Sequence, residues 1–298
     1  MVLFIIVITP VKSFVPNIKT NTGGPGHSLL RFREAQETKN IDILFIGSSH
    51  TSKGFDNRLF AQHNLRTFNM GTGLQTPQNS YYLLQEYVPE MRPKKIIMEL
   101  FWDVLAYENG TEACIDITSN APLSSEIIKM NVETKQFKLI NSMLAGYLSR
   151  SLKPLNLAEQ QKIKGETYIS GGYLEGSHND DYTRTSIAAI KNNNVVLQQK
   201  QLDYIVKISA YCKSQGIPLL FVTAPVPQEL LNSISNYTAI TDEIRNMTTL
   251  NKNEWINFND PVYRDQLKLV TITDFDDANH LSQQGVIKFN TLLLNAIR

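Results

Sequence analysis

Histidine occurs five times and cysteine twice in 298 residues, so histidine- or thiol-based chemistry has few places to reside. Cys114 and Cys212 match neither a CxxC pair nor a zinc-finger spacing, and their distance in sequence neither establishes nor excludes a bridge. Excess charge is also missing: 29 Lys plus Arg against 28 Asp plus Glu give a formal charge of +1, which removes the field that nucleic acid or strongly acidic partners require. No internal repeat or low-complexity run is present. Long apolar runs are lacking as well. The one candidate, "MVLFIIVIT", has about nine residues where roughly 20 are needed to span a bilayer, and no basic residue precedes it. It reads either as the remnant of a signal or anchor helix or as a short buried strand. The first reading is favoured because "VKSFVPNIKTNTGGPGHS" (11–28) is linker-like in composition. The expectation is an apolar segment and linker over 1–28, a domain over 29–298, a location outside the cytoplasm and a membrane tether through the N-terminal segment.

What the chain does have is 42% hydrophobic residues, enough for a sizeable core, and a regular alternation from residue 41 onward. "IDILFIG" (41–47), "RTFNMG" (66–71), "KKIIMEL" (94–100), "IPLLFVTAP" (217–225) and "EWINF" (254–258) read as five strands. The uninterrupted apolar character of the first fits a central strand buried on both faces. Helices are predicted over 76–91, opened by Thr76 and Pro77, over 195–216, ended by Gly216, and at the carboxyl end, capped by Ser282. The pattern is that of an α/β protein with a parallel sheet covered on both faces. Residues of about 105–194 break the rhythm, with a helical stretch around 123–152 and then a Gly- and Tyr-rich segment. They read as an insertion after the third strand, either a lid over the sheet's carboxyl edge or a surface excursion.

Chemistry concentrates in two short stretches. "IGSSHTS" places Gly47, Ser48, Ser49 and His50 where a buried strand turns into a helix, so the serines are either helix caps or a nucleophile. A nucleophilic serine needs a histidine to take its proton and a carboxylate to orient that histidine. "DFDDANHLS" supplies both: Asp277 precedes His280 by three residues, a spacing that brings the carboxylate to the imidazole. His50 reads as a satisfied neighbour of the serines rather than a reacting group. The acidic and histidine residues show no metal-ligand spacing, so no metal or other cofactor is expected. Trp102 and the aromatic "SYYLL" read as core.

The order of "IGSSHTS", "FNMGTG", "MELFWD" and "DANH" resembles the four blocks of SGNH hydrolases, also called GDSL esterases or lipases, over about residues 41–298 apart from the insertion. The resemblance implies a flavodoxin-like three-layer fold with strand order 2-1-3-4-5. It puts Ser49 in the nucleophile's place, Ser48 where the family has Asp, and Asp277 and His280 as its partners. It also implies Gly73, or alternatively Gly71, as a backbone oxyanion donor. Asp103 falls at or near the position of the family's asparagine, where a carboxylate does not donate as an amide does. Ester hydrolysis of an acylated carbohydrate or another small ester is the implied activity, with transfer of an acyl group to a cell-surface polysaccharide as one alternative. A carbohydrate-binding or assembly module without catalysis is the other.

Overall fold

A computed structural model describes residues 27–135, 137–152, 162–163 and 165–297. The apolar run and most of the linker thus lie outside the described residues. Among the described residues, no helix is long and apolar enough to cross a membrane.

Eight strands occur in chain order: β1 (Ile43–Ile46), β2 (Thr67–Asn69), β3 (Lys95–Glu99), β4 (Lys162–Ile163), β5 (Glu166–Ile169), β6 (Tyr173–Gly176), β7 (Leu219–Thr223) and β8 (Glu254–Asn257). Five of them form one parallel sheet in the order β2-β1-β3-β7-β8, the expected flavodoxin-like 2-1-3-4-5 arrangement counted over the sheet's own strands. In register, Ile43 stands opposite Thr67 and Lys95, Ile96 opposite Leu219, and Leu220 opposite Glu254. Every residue of β1 is buried, as its unbroken apolar sequence requires of a strand covered on both faces.

The alternation of side chains along each strand divides the core in two. Leu44, Ile46, Ile96, Met98 and Phe221 pack on one face with the helices Pro77–Met91 and Gln199–Ser214. Ile43, Phe45, Ile97, Val222 and Ile256 pack on the other with the closing helix Gln283–Ala296, whose Val286, Phe289 and Leu293 are fully buried. The expected caps are present. Thr76 and Asn79 form a reciprocal capping box ahead of Pro77, and Ser282 accepts from the Gly285 N–H. The helix read as 195–216 begins only at Gln199, because Asn193 to Val195 run alongside Ser233 to Asn236 instead, held by Asn236 Oδ1 and Nδ2. Trp102 is buried, as read.

The insertion holds three longer helices, Thr111–Asn120, Ser125–Thr134 and Phe137–Leu152, followed by the antiparallel sheet β4-β5-β6 and the helix Asp180–Ala188. The helical stretch around 123–152 is therefore divided, with Lys135 left-handed at the break. A helix ahead of β1, Ser28–Glu37, ties the two regions together. Its Phe32 and Ala35 enter the main core. Its fully buried Arg31 donates from Nε and Nη2 to the Gly172 carbonyl, and its Glu34 accepts from Tyr168 Oη at 2.6 Å.

Candidate active site

At the end of β1 the chain must turn at once into a helix beneath β3. Gly47 makes the turn with φ 147°, where a Cβ would stand 2.5 Å from Thr51 Oγ1 and 2.9 Å from the Glu99 carbonyl oxygen. Ser48 then caps the helix Ser49–Gly54, its Oγ accepting from the His50 N–H at 3.2 Å. Ser49, the first helical residue, is thereby set at the sheet's carboxyl edge. The two serines divide the two readings between them: Ser48 is the cap, and Ser49 is the one that meets a histidine.

That histidine is His280. Its Nε2 lies 2.8 Å from Ser49 Oγ, and its Nδ1 lies 2.8 Å from Asp277 Oδ2. The other Asp277 oxygen accepts the backbone N–H groups of Asn279 at 2.9 Å and His280 at 2.8 Å. Burial opposes the charge on Asp277, but the His280 ring and these two N–H groups outweigh it and hold the carboxyl well below the usual range. The loop is braced on each side. Asp276 N–H donates to the His280 carbonyl at 2.9 Å, and from the insertion Thr183 Oγ1 donates to the carbonyls of Phe275 and Asp276 while Ser186 Oγ accepts from Ala278 N–H.

Ser49 and His280 open onto a cavity of about 300 Å³ lined also by Ser52, Lys53, Gly73, Leu74, Glu112, Asp116, Glu166 and Leu174. Lys53, one helical turn after Ser49, bonds Glu166 Oε1 of β5 at 2.8 Å. Burial works against its charge, yet Glu166 keeps its ammonium above the ordinary value. Burial pushes Asp116 up to about 6. Four of the lining residues, Glu112, Asp116, Glu166 and Leu174, belong to the insertion, which thus forms part of the cavity wall.

The remaining expected residues lie in different places. Gly73 lines the cavity, with open space where a Cβ would be. Gly71 is packed against Ser52 and Ser48, and its N–H already donates to Asn69 Oδ1 at 3.0 Å, so it is not turned to the cavity. Asp103 sits in the short helix Trp102–Leu105 and is not among the cavity's lining residues; burial raises its pKa. His50 is 4% exposed, so it is neither a surface residue nor a cavity one. Its ring centroid lies 3.9 Å from that of Phe101, the planes tilted by 36°, and 5.0 Å from that of His280.

Three residues absent from the sequence reading belong to the site's surroundings. Asn69 Nδ2 donates to the carbonyls of Thr51 and Phe55, locking the Ser49 helix to the end of β2. Glu99 Oε2 lies 2.8 Å from Ser48 Oγ. Lys53 faces the cavity beside Ser49. Glu99 carried a usable signal, since it is a carboxyl directly following the apolar run Ile96 to Met98.

No family model and no curated protein matches this chain. Solved structures do. The fold is similar to that of a GDSL-like lipase from Bacteroides thetaiotaomicron VPI-5482, at 11% identity and a TM-score of 0.41, covering 89% of each chain. It is similar also to a catalytic mutant of an acetylxylan esterase from Geobacillus stearothermophilus, at 9% identity and a TM-score of 0.45, covering 88% of this chain and 96% of that one. A third is an alpha/beta hydrolase enzyme from the metagenome of Lake Arreo, Spain, at 12% identity and a TM-score of 0.45, covering 87% and 95%.

Proposed function

We propose that this protein is a serine-dependent ester hydrolase of the SGNH type acting on an acylated carbohydrate or another small ester. The observation that carries the reading is the unbroken line Ser49 Oγ, His280 Nε2, His280 Nδ1, Asp277 Oδ2, with 2.8 Å at each contact and a cavity at its open end. Ser49 Oγ attacks the acyl carbon as His280 Nε2 takes its proton, and Asp277 stabilises the imidazolium that forms. The backbone N–H groups of Ser49 and Gly73 receive the oxyanion. His280 returns the proton to the leaving alcohol, and water, activated by the same imidazole, releases the acid from the acyl-enzyme. Asp103 is outside the cavity lining, and no side-chain amide is among the described residues that line it; one missing donor costs about 3–4 kcal/mol, which slows such an enzyme without abolishing it.

The carbohydrate part of the reading is supported by the wall of the cavity. Glu112, Asp116, Glu166 and Lys53 place acceptors and a donor within reach of the hydroxyl groups of a bound sugar. A location outside the cytoplasm belongs to the same proposal, and cell fractionation tests it. Reaction with a fluorophosphonate probe, read by peptide mass spectrometry, tests the core of the reading. An adduct on Ser49 is expected; folded protein with no adduct overturns the proposal. With an O-acetylated glycan as substrate, free acetate is the expected main product, and acetyl transfer to a second glycan would make the protein an acyltransferase.

A further inference from the structure

Behind Ser49, on the side away from the cavity, lies a chain of polar side chains from which water is excluded. Ser48, His50 and Glu99 are 1%, 4% and 2% exposed. Glu99 Oε2 lies 2.8 Å from Ser48 Oγ, Ser48 Oγ lies 3.3 Å from His50 Nδ1, and His50 Nε2 lies 3.0 Å from the Asn279 carbonyl oxygen. Asn279 is the residue before His280. The chain therefore starts at the end of β3, passes behind the Ser49 helix and ends on the peptide that carries the histidine facing Ser49.

Counting protons gives the chain a direction. A carbonyl oxygen only accepts, so His50 Nε2 carries a hydrogen. Burial holds this imidazole well below its usual value, and the neighbouring His280 acts in the same direction, while Asp277 opposes and Lys53 of the same helix assists. The ring is neutral, and its bare Nδ1 accepts a hydrogen bond from the Ser48 hydroxyl. Ser48 has only that one proton: while it points to His50, the hydrogen in the 2.8 Å contact is the one on the protonated Glu99 carboxyl, and toward an ionised Glu99 the Ser48 hydroxyl itself donates. Glu99 is suited to being protonated: its Oε1 has no hydrogen-bond partner among the described residues, and its Oε2 meets only the hydroxyl and the N–H of Ser48. Burial pushes its carboxyl up to about 8.

We propose that His50 is a positioning residue for His280: it donates Nε2–H to the Asn279 carbonyl and so fixes the peptide carrying the reacting imidazole, while Ser48 and Glu99 set its tautomer. The inference rests on the reading of Ser49 and His280 as the reacting pair. When Glu99 ionises, the Ser48 proton turns to the carboxylate and His50 Nδ1 loses its donor. Glu99→Gln keeps an N–H donor toward Ser48 at every pH.

The test uses the full chain with p-nitrophenyl acetate, together with ¹H–¹⁵N spectra of protein labelled at histidine. His50→Phe keeps a ring but removes the donor; it is expected to lower kcat about 10- to 100-fold with KM within about twofold, and to weaken or abolish the signal of the His280 Nδ1–H shared with Asp277. His50→Gln restores a donor and is expected to recover part of both. Glu99→Gln is expected to match the wild type at pH 7 and to remove a fall in activity above about pH 8. Unchanged kcat and an unchanged His280 signal in folded His50→Phe overturn the inference, as does an alkaline limb that persists in Glu99→Gln. If His50→Phe does not fold, the His50→Gln spectrum and the Glu99→Gln profile decide. A wild type that neither turns over ester nor labels at Ser49 overturns the esterase reading; the His280 signal in the variants still decides whether His50 positions that histidine.

Discussion

The carboxyl edge of the parallel sheet and the insertion after β3 meet at one cavity but contribute to it differently. The edge supplies every group in the Ser49, His280, Asp277 line, and buried polar contacts hold the turn that presents Ser49: Gly47 and Ser48 after β1, with Asn69 at the end of β2 and Glu99 at the end of β3 bonded to it. The insertion supplies no member of that line. It supplies wall, through Glu112, Asp116, Glu166 and Leu174, and bracing, through Thr183 and Ser186 on the Asp277 loop. Under the proposed function, reaction and selection fall to separate stretches of chain, and variants in the two should differ in kind.

The largest effect is expected at the edge. Ser49→Ala should lower kcat by about 10⁴-fold or more with the melting temperature unchanged, since the lost hydroxyl faces a cavity rather than a core. Asp277→Asn should follow at roughly 10²- to 10⁴-fold in ester turnover, because an amide neither fixes the same tautomer nor stabilises the imidazolium. Phe289→Ala, beneath the edge between Phe55 and Phe258, should cost about 3–5 kcal/mol in urea unfolding. If amide-exchange protection in the insertion and in the sheet is then lost together, the two regions unfold as one unit.

A smaller effect concerns Glu99, whose carboxyl is higher in the folded state than in the unfolded one. Between the unfolded value near pH 4.3 and the folded value of about 8, the native state binds more protons, so this group makes stability fall as pH rises. Glu99→Gln should remove that slope and gain on the order of 1–3 kcal/mol at pH 8 relative to pH 5, read as the difference between two denaturation curves. The smallest effect belongs to the insertion. Glu112→Gln should change KM for an acylated sugar about three- to tenfold, with kcat and the pH profile unaltered; an equal loss of kcat would erase the distinction between the regions.

Legibility divides along the same boundary. The five strands are readable because strands buried on both faces leave unbroken apolar runs, and the link between Ser49 and the Asp277–His280 pair is readable because the strand order brings both to one edge. The insertion is not, since strands of two to four residues such as β4 and β6 carry too little periodicity, and the left-handed Lys135 that divides its helices is an ordinary residue in sequence. Glu99 is an intermediate case. A lone carboxyl in "KKIIMEL" announces that something must satisfy it, but its partner, Ser48, is 51 residues away and looks like any cap. His50 is illegible for the opposite reason: its carbonyl partner belongs to the backbone, which no side-chain pattern records.

Each of the two regions carries one of the chain's two thiols. Cys114 lies in the helix Thr111–Asn120 of the insertion and Cys212 in the helix Gln199–Ser214 on the sheet; both are free, fully buried and pushed up to about 12 by burial. An alkylating reagent therefore finds neither while the chain is closed, and the thiolate it needs forms only once the surrounding helix lifts away. The protein carries two native clocks, one per region, whose alkylation rates in single-cysteine variants time the opening of the wall and of the sheet independently.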